Sequence, residues 1–273
     1  MNLFSRWFGR SSRTKGKSNQ PPTEEVVSLP FVADMHSHLL PGLDDGVGTM
    51  EEAYRLIRGM KTAGYRRAIT TPHIMGDYYR NTREGILSQR DVLLDYLHKQ
   101  DFAFELEAAA EYYLDEWFLD KLRREPLLSF GPDMVLVETS YINRPPNMKE
   151  VFFEMKMKGY QPVLAHPERY IYLHGQMEEV AEWRDAGVLM QMNLPSISGY
   201  YGPQVKRAAD ILVQNGWVDL VGTDLHGQRH WNACLKATRS RHFRLLIDNP
   251  LQNGMLSGSG NQHDPQTARP AVS

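Results

Sequence analysis

Short apolar or β-branched runs recur along the chain at 31–34, 67–71, 102–109, 134–139, 162–165, 188–193 and 218–222. Each reads as a strand. Segments with the three-to-four spacing of an amphipathic helix lie between them. Thr49-Met50-Glu51-Glu52 has the form of a capping box; Ala53, Ile57 and Met60 then fall on one face until Gly64 closes the element. Asn147 and Glu150 open another helix, with Phe152 and Met155 inward and Gly159 as its stop. Pro203 starts a third, with Ile211 and Leu212 inward, and Asn215-Gly216 ends it. Residues 82–99, 176–186 and 230–246 supply the remaining helices.

Seven β–α units joined by short loops predict parallel strands, because each strand needs a crossover to return. Two architectures fit: a βα barrel, typically ~250 residues long, and a doubly wound open sheet. The first turn lacks Gly-x-Gly-x-x-Gly, so a dinucleotide fold has no support. In both architectures function gathers at the carboxyl ends of the strands.

Those ends carry metal-ligand residue types. Strand one runs into His36-Ser37-His38, whose i, i+2 spacing on extended chain points both rings the same way. The following units end on His73, Glu111, Glu138 and His166, and the last delivers Asp224 and His226. The sixth delivers Asn193 instead. Asp45, in the Gly-rich loop after strand one, completes the set. Each residue has a plain structural reading: Glu111 as a helix-start acid, Glu138 paired with an arginine, His166 as a satisfied core histidine, Asp224 as a cap, Asp45 as an ordinary turn acid. Their joint placement argues otherwise. A carboxylate after Val-Leu-Val is poorly solvated, and several at one mouth repel unless cations lie between them. Five histidines and four carboxylates offer nine N/O donors, enough for two or three divalent ions of the Mn, Fe or Zn type. Arg169, three residues past His166, adds a forked cation suited to phosphate oxygens, and Arg229 lies where it adds a second grip.

Composition narrows the field. The chain has 273 residues, net charge −2, and one cysteine, Cys234. No intrachain disulfide or cysteine-rich zinc site can form, and a reducing compartment is the simple reading. A Cys-based phosphatase needs an arginine six positions after the nucleophile; that position holds Ser240. Residues 1–20 carry five basic residues and no acid, leaving 26 basic against 33 acidic, or −7, for the rest. That balance disfavours nucleic acid as partner. Leu3, Phe4, Trp7 and Phe8 give the basic segment an apolar face. It reads either as a solvated tail or as a contact with an anionic membrane surface or a partner. No signal-peptide core follows, so the expected location is the cytoplasm, with peripheral membrane contact through residues 1–20 as the alternative placement.

Taken in order, Asp34-Met35-His36-Ser37-His38, the Leu39-to-Gly46 loop, Thr71-Pro72-His73, Ala110-Glu111-Tyr112, Leu164-Ala165-His166-Pro167-Glu168-Arg169-Tyr170, Gly199-Tyr200-Tyr201-Gly202 and Gly222-Thr223-Asp224-Leu225-His226 resemble the PHP (polymerase and histidinol phosphatase) superfamily. The resemblance is to its capsular and exopolysaccharide branch of bacterial protein-tyrosine phosphatases, over about 31–230. It implies an α/β fold, a distorted seven-stranded (βα)7 barrel of TIM-like type with the active site at the C-terminal ends of the strands. It implies a trinuclear centre, most simply of Mn2+: His36, His38, Glu111 and Asp224 around one ion, Glu111, Glu138 and His166 around a second, Asp45, His73 and His226 around a third. Arg169 and Arg229 would bind the phosphate and act in catalysis. The implied substrate is phosphotyrosine on a bacterial tyrosine kinase that controls polysaccharide export. The alternatives are a histidinol-phosphatase-like phosphomonoesterase, a 3′ exonuclease or a metal-stabilised binding module. Gly227 departs from relatives that place Asn or His there. The expected layout is a basic, unstructured extension over 1–27, a metal-dependent phosphoesterase domain over 28–250 and a disordered tail over 251–273.

Overall fold

The computed structural model describes residues 28–257. Its strands are β1 (Ala33–Asp34), β2 (Arg67–Thr70), β3 (His73–Ile74), β4 (Glu105–Ala108), β5 (Glu111–Tyr113), β6 (Met134–Glu138), β7 (Gln161–Ala165), β8 (Leu189–Asn193) and β9 (Leu220–Gly222). The helices are α1 (Met50–Thr62), α2 (Arg83–Lys99), α3 (Glu116–Arg124), α4 (Met148–Met157), α5 (Glu178–Asp185), α6 (Leu194–Ile197), α7 (Pro203–Gln214), α8 (Gln228–Ala237) and α9 (Arg241–Ile247). Thr49 accepts from the Glu52 N–H as the capping box predicts, and Thr82 and Asp115 cap α2 and α3 the same way.

Every pairing between the named strands is parallel. One sheet runs β1-β2-β4 and the other β3-β5-β6-β7-β8-β9. The second and third sequence units are each broken in two, at Thr71-Pro72 and Ala109-Ala110. Pairing crosses both breaks: Thr71 N–H donates to Ser37 O, Ala109 N–H to Thr70 O and Glu111 N–H to Pro72 O. The chain's first and last strands are joined as well. Asp224 N–H donates to His36 O (2.7 Å), His38 N–H donates to Leu225 O (3.1 Å), and Ser37 bridges Leu225 in parallel. The result is a parallel α/β fold of barrel type. The strand count differs from the expected seven because the two broken units each contribute two short segments. The run 230–246, read as one helix, is also two, α8 and α9, parted at Thr238-Arg239-Ser240 with Ser240 capping the second.

Strand alternation sorts the core into two layers. Met134 and Leu136 of β6 and Val163 and Ala165 of β7 point into an inner cluster with Ala33, Ile69, Ala109 and Leu220. Val135, Val137 and Leu164 belong to the outer cluster, under the helices. Both faces of β6 are buried, which explains its unbroken apolar run. Carried one step further, the same alternation brings Glu138 (after Leu136) and Glu111 (after Ala109) inward, directly above the inner cluster.

Residues 251–257, expected to belong to a disordered tail, are ordered. Residues Gln252–Ser257 form a 3-10 turn. Asn253 Oδ1 accepts from Val221 N–H (2.9 Å) and its Nδ2 donates to Val221 O (2.8 Å), extending the edge of β9. Leu256 is 1% exposed and closes the inner cluster from below. The glycine-rich composition hid two residues that anchor the turn. The expectations for residues 1–27 and for 258–273 lie outside the described residues.

Candidate metal centre

All nine sequence-predicted ligands converge at one end of the strands. Their donor atoms form four overlapping groups, each within 4.8 Å: His36, His38 and Asp224; His36, Glu111 and His166; His73, Glu111 and Glu138; His38, Asp45, His73 and His226. Seven are buried, His73 at the edge of that class, while Asp45 and His226 sit at the mouth.

Hydrogen bonds on the far side of each imidazole fix what faces inward. His36 Nδ1 donates to Gln191 Oε1 (2.9 Å); Gln191 is oriented by its own amide nitrogen, which donates to Asn193 Oδ1 (2.9 Å). His38 Nδ1 donates to Asp44 Oδ2 (2.7 Å). His226 Nδ1 donates to Asp224 O (2.9 Å). Each Nε2 is therefore left with a lone pair. The His36 and His38 Nε2 atoms lie 3.3 Å apart, 3.1 and 3.3 Å from Glu111 Oε2, and 3.5 and 3.4 Å from Asp224 Oδ1. Four acceptors aimed at one point repel unless a proton or a cation lies among them. Imidazole and carboxylate donors with outer hydrogen bonds are the composition of a divalent-metal site. The residues present fit the ions that the donor count predicts.

Glu111 links two groups. Its Oε2 faces His36 and His38, and its Oε1 lies 3.0 Å from His166 Nε2. His73 links two others, with Nδ1 3.0 Å from Glu138 Oε1 and Nε2 3.5 Å from Asp45 Oδ1. His166 Nδ1 is buried without a hydrogen-bond partner. Two of these residues hold left-handed backbone, His166 (φ 33°) and Asp224 (φ 50°). That conformation costs a non-glycine residue roughly 1 kcal/mol or more and is found where function dictates side-chain direction. Glu138 has histidines as neighbours rather than an arginine, and Asp224 caps no helix.

Electrostatics report the same demand for positive charge. Burial works against protonation of His73, yet Glu111 and Glu138 lift it to about 9. His36 and His38 are raised despite burial, by Glu111 and Asp224 and, for His38, by Asp44. Burial likewise opposes ionisation of Glu111 and Asp224, but the surrounding histidines hold both carboxyls well below the usual range.

Arg169 donates to Asp224 Oδ2 (2.8 Å) and lies between the rings of Tyr141 (4.5 Å) and Tyr201 (4.4 Å). It forms no ion pair with Glu168 or Glu138 among the described residues. Arg229 is exposed on α8, outside the convergent set, and makes no hydrogen bond or ion pair among the described residues. Its neighbour His230 lies beside the centre instead, accepting at Nδ1 from His226 N–H (3.1 Å). One residue along the helix separates a solvent position from a site position, and spacing alone did not tell them apart.

Sequence reasoning named Asp45 and overlooked Asp44. Asp44 orients His38 and also accepts from His73 N–H (3.0 Å) and Gly46 N–H (3.0 Å). Gly46 is required there, because a Cβ would sit 2.3 Å from His38 O. Asn193 Nδ2 and Tyr201 OH donate to Asp224 Oδ2 at 2.6 and 3.2 Å. Cys234 is fully buried in the outer core, and burial pushes its thiol well up.

A model of the family described as capsular polysaccharide synthesis, CpsB/CapC, matches residues 32–244. The chain is similar to the tyrosine-protein phosphatase YwqE of Bacillus subtilis, 28% identical over 200 residues covering 73% of this chain and 79% of that protein. It is also similar to the tyrosine-protein phosphatase CpsB of Streptococcus pneumoniae, 25% identical over 236 residues, 80% of this chain and 96% of that one. Among solved structures it matches one from a study of YwqE from B. subtilis and CpsB from S. pneumoniae, described as unique metal-dependent tyrosine phosphatases. The TM-score is 0.73 at 26% identity, over 82% of this chain and 93% of that chain. With most of its length inside that family model and its nine donors gathered at one end of the strands, the chain belongs to the CpsB/CapC family of capsular polysaccharide synthesis proteins.

Proposed function

We propose that this protein is a metal-dependent protein-tyrosine phosphatase, a phosphoric monoester hydrolase acting on a bacterial tyrosine kinase that controls capsule or exopolysaccharide synthesis. The observation that carries the reading is the set of acceptor atoms around Glu111, which needs cations and continues directly into a surface cleft. In this reading the fold is a distorted (βα)7 barrel, the broken segments counting as one strand per unit. His36, His38, Glu111 and Asp224 hold one ion, Glu111, Glu138 and His166 a second, Asp45, His73 and His226 a third, with manganese as the expected metal. When bound, the ions would supply a nucleophile from water near neutral pH and neutralise charge on the phosphoryl oxygens.

The chain's own residues do the rest. Gln191 and Asp44 hold His36 and His38 in the tautomer that presents Nε2. Asn193 and Tyr201 keep Asp224 turned inward. Arg169 uses one N–H on Asp224 and has four more for the non-bridging oxygens of a phosphoryl group. Its packing between two tyrosines limits where that fork can point. A phenolate leaves with a parent pKa near 10, so less protonation is required than for an alkoxide. Among the described residues no helix is long and apolar enough to cross a membrane; a cytoplasmic location with peripheral membrane contact through residues 1–20 is part of the proposal.

The test compares a phosphotyrosyl peptide, histidinol phosphate and single-stranded DNA before and after chelation, with manganese, iron and zinc restored singly. The phosphotyrosyl peptide is expected to be turned over fastest, only with metal. Preference for either other substrate would reassign the site within phosphoesterases. Metal-dependent melting without turnover of any of them would make the protein a binding module.

A further inference from the structure

A cleft of about 450 Å³ opens off the metal centre, and Asp45, His73 and Glu138 form its inner end. Two tyrosines stand beside that end. The Tyr79 ring stacks on His73 (centroids 5.6 Å, 15° between planes), and the Tyr141 ring lies 5.8 Å from that of His166. At the rim Tyr78 and Ile142 are 78% and 68% exposed, apolar surface of the sort a partner covers. Among the described residues no lysine or arginine lines this cleft. Asp77 and Asp115 do, and both also line a second, adjoining cleft of about 710 Å³. The second adds Glu116 and Asp120, with Arg80 as its one cation among the described residues. The Arg80 side chain is turned to Gly76 O (2.6 Å) and Asp120 pairs with Arg124, whereas Asp77 and Glu116 make no ion pair among the described residues.

We propose that this two-part groove is the track for the polypeptide bearing the phosphotyrosine, and that it selects substrates with Lys or Arg flanking the tyrosine over substrates with acidic flanks. The inference rests on the phosphatase reading and names its substrate class. The phosphoryl group carries its negative charge to the cation centre and Arg169. The phenol ring then lies between Tyr79 and Tyr141, where offset aromatic contact is favourable. The neighbouring residues run outward past Asp77, Asp115 and Glu116. Basic side chains complement those carboxylates and acidic ones meet like charge, which sets partner choice more than total affinity. An exposed charge pair changes binding by about two- to fivefold, so two such pairs separate Lys-flanked from Glu-flanked peptides by roughly tenfold. The separation fades as salt shortens the screening length.

The experiment uses the full chain loaded with manganese and two phosphotyrosyl peptides in an alanine background, one with paired lysines and one with paired glutamates around the tyrosine. The ratio of their kcat/KM values is expected near ten at low salt and near one at high salt. Calorimetry with non-hydrolysable phosphonomethyl-phenylalanine versions should give the same order of affinity. Asp77→Lys with Glu116→Lys should invert the ratio, and the milder Asp77→Asn should roughly halve it. A ratio of one at low salt, or one the double variant leaves unchanged, overturns the inference. Turnover of p-nitrophenyl phosphate separates the two failures. If that small aryl phosphate is hydrolysed while the peptide ratio stays at one, only the groove assignment falls. If neither it nor either peptide is hydrolysed, the phosphatase reading falls too.

Discussion

At the residue scale, protons and metal compete for the same nitrogens. His73 is raised to about 9, above its unfolded value of about 6.5. In the metal-free chain its charge therefore adds stability that is fully present below pH 6.5 and is lost as pH rises through 9. Metal binding displaces that proton, so affinity for manganese should climb from pH 6 to 9; calorimetric titration across that range checks it, and a flat profile would deny that His73 is a ligand. Asp44→Asn keeps the shape but removes the carboxylate behind His38, and should weaken metal binding about 10–100-fold; the melting temperature should also fall, because the amide nitrogen would face an N–H donor at an oxygen's place. Cys234→Ala should retain turnover, because a buried thiol with a raised pKa is not a nucleophile. His166→Ala and Asp224→Ala should each lower kcat by orders of magnitude. The candidate ligands were legible because six of the seven apolar runs deliver His, Asp or Glu at the same end, although each residue singly had a plain structural reading. Asp44 was not, since two adjacent aspartates in one turn carry the same signal. The left-handed backbone at His166 and Asp224, which aims their side chains, has no sequence signature in a non-glycine residue.

At the scale of elements, short apolar and β-branched runs carried most of the information. They located the strands that became β6, β7 and β8 nearly intact, because burial on both faces keeps such runs largely apolar. They did not foresee the breaks at Thr71-Pro72 and Ala109-Ala110, where the chain steps sideways and still keeps its ladder through Thr70 O and Pro72 O. The 3-10 turn after residue 251 was hidden by a composition of disorder. Leu256→Ala should cost about 2–4 kcal/mol by emptying space beneath the inner cluster, read as a lower denaturation midpoint in urea. An unchanged midpoint would mean the turn is ornamental. Gly222→Ala tests the strand-to-strand contact at the site itself. A Cβ at 222 would lie 2.5 Å from the Cβ of His36, so this variant should lose metal affinity and stability together.

At the scale of the whole molecule, residues 36–38 and 224–225 close the ring of parallel strands, and three of the proposed metal ligands, His36, His38 and Asp224, sit on that seam. His36 and Asp224 belong to opposite ends of the chain and would share one ion, so binding ties the first unit to the last. Manganese should raise the melting temperature in a concentration-dependent way, as any ligand of the folded state alone must. The most direct measurement is phosphotyrosyl-peptide turnover paired with metal analysis on the same sample, before chelation, after it, and after manganese is returned. The account predicts two or three ions per chain, loss of turnover with their removal and recovery with their return. Turnover that persists in metal-free protein would contradict it.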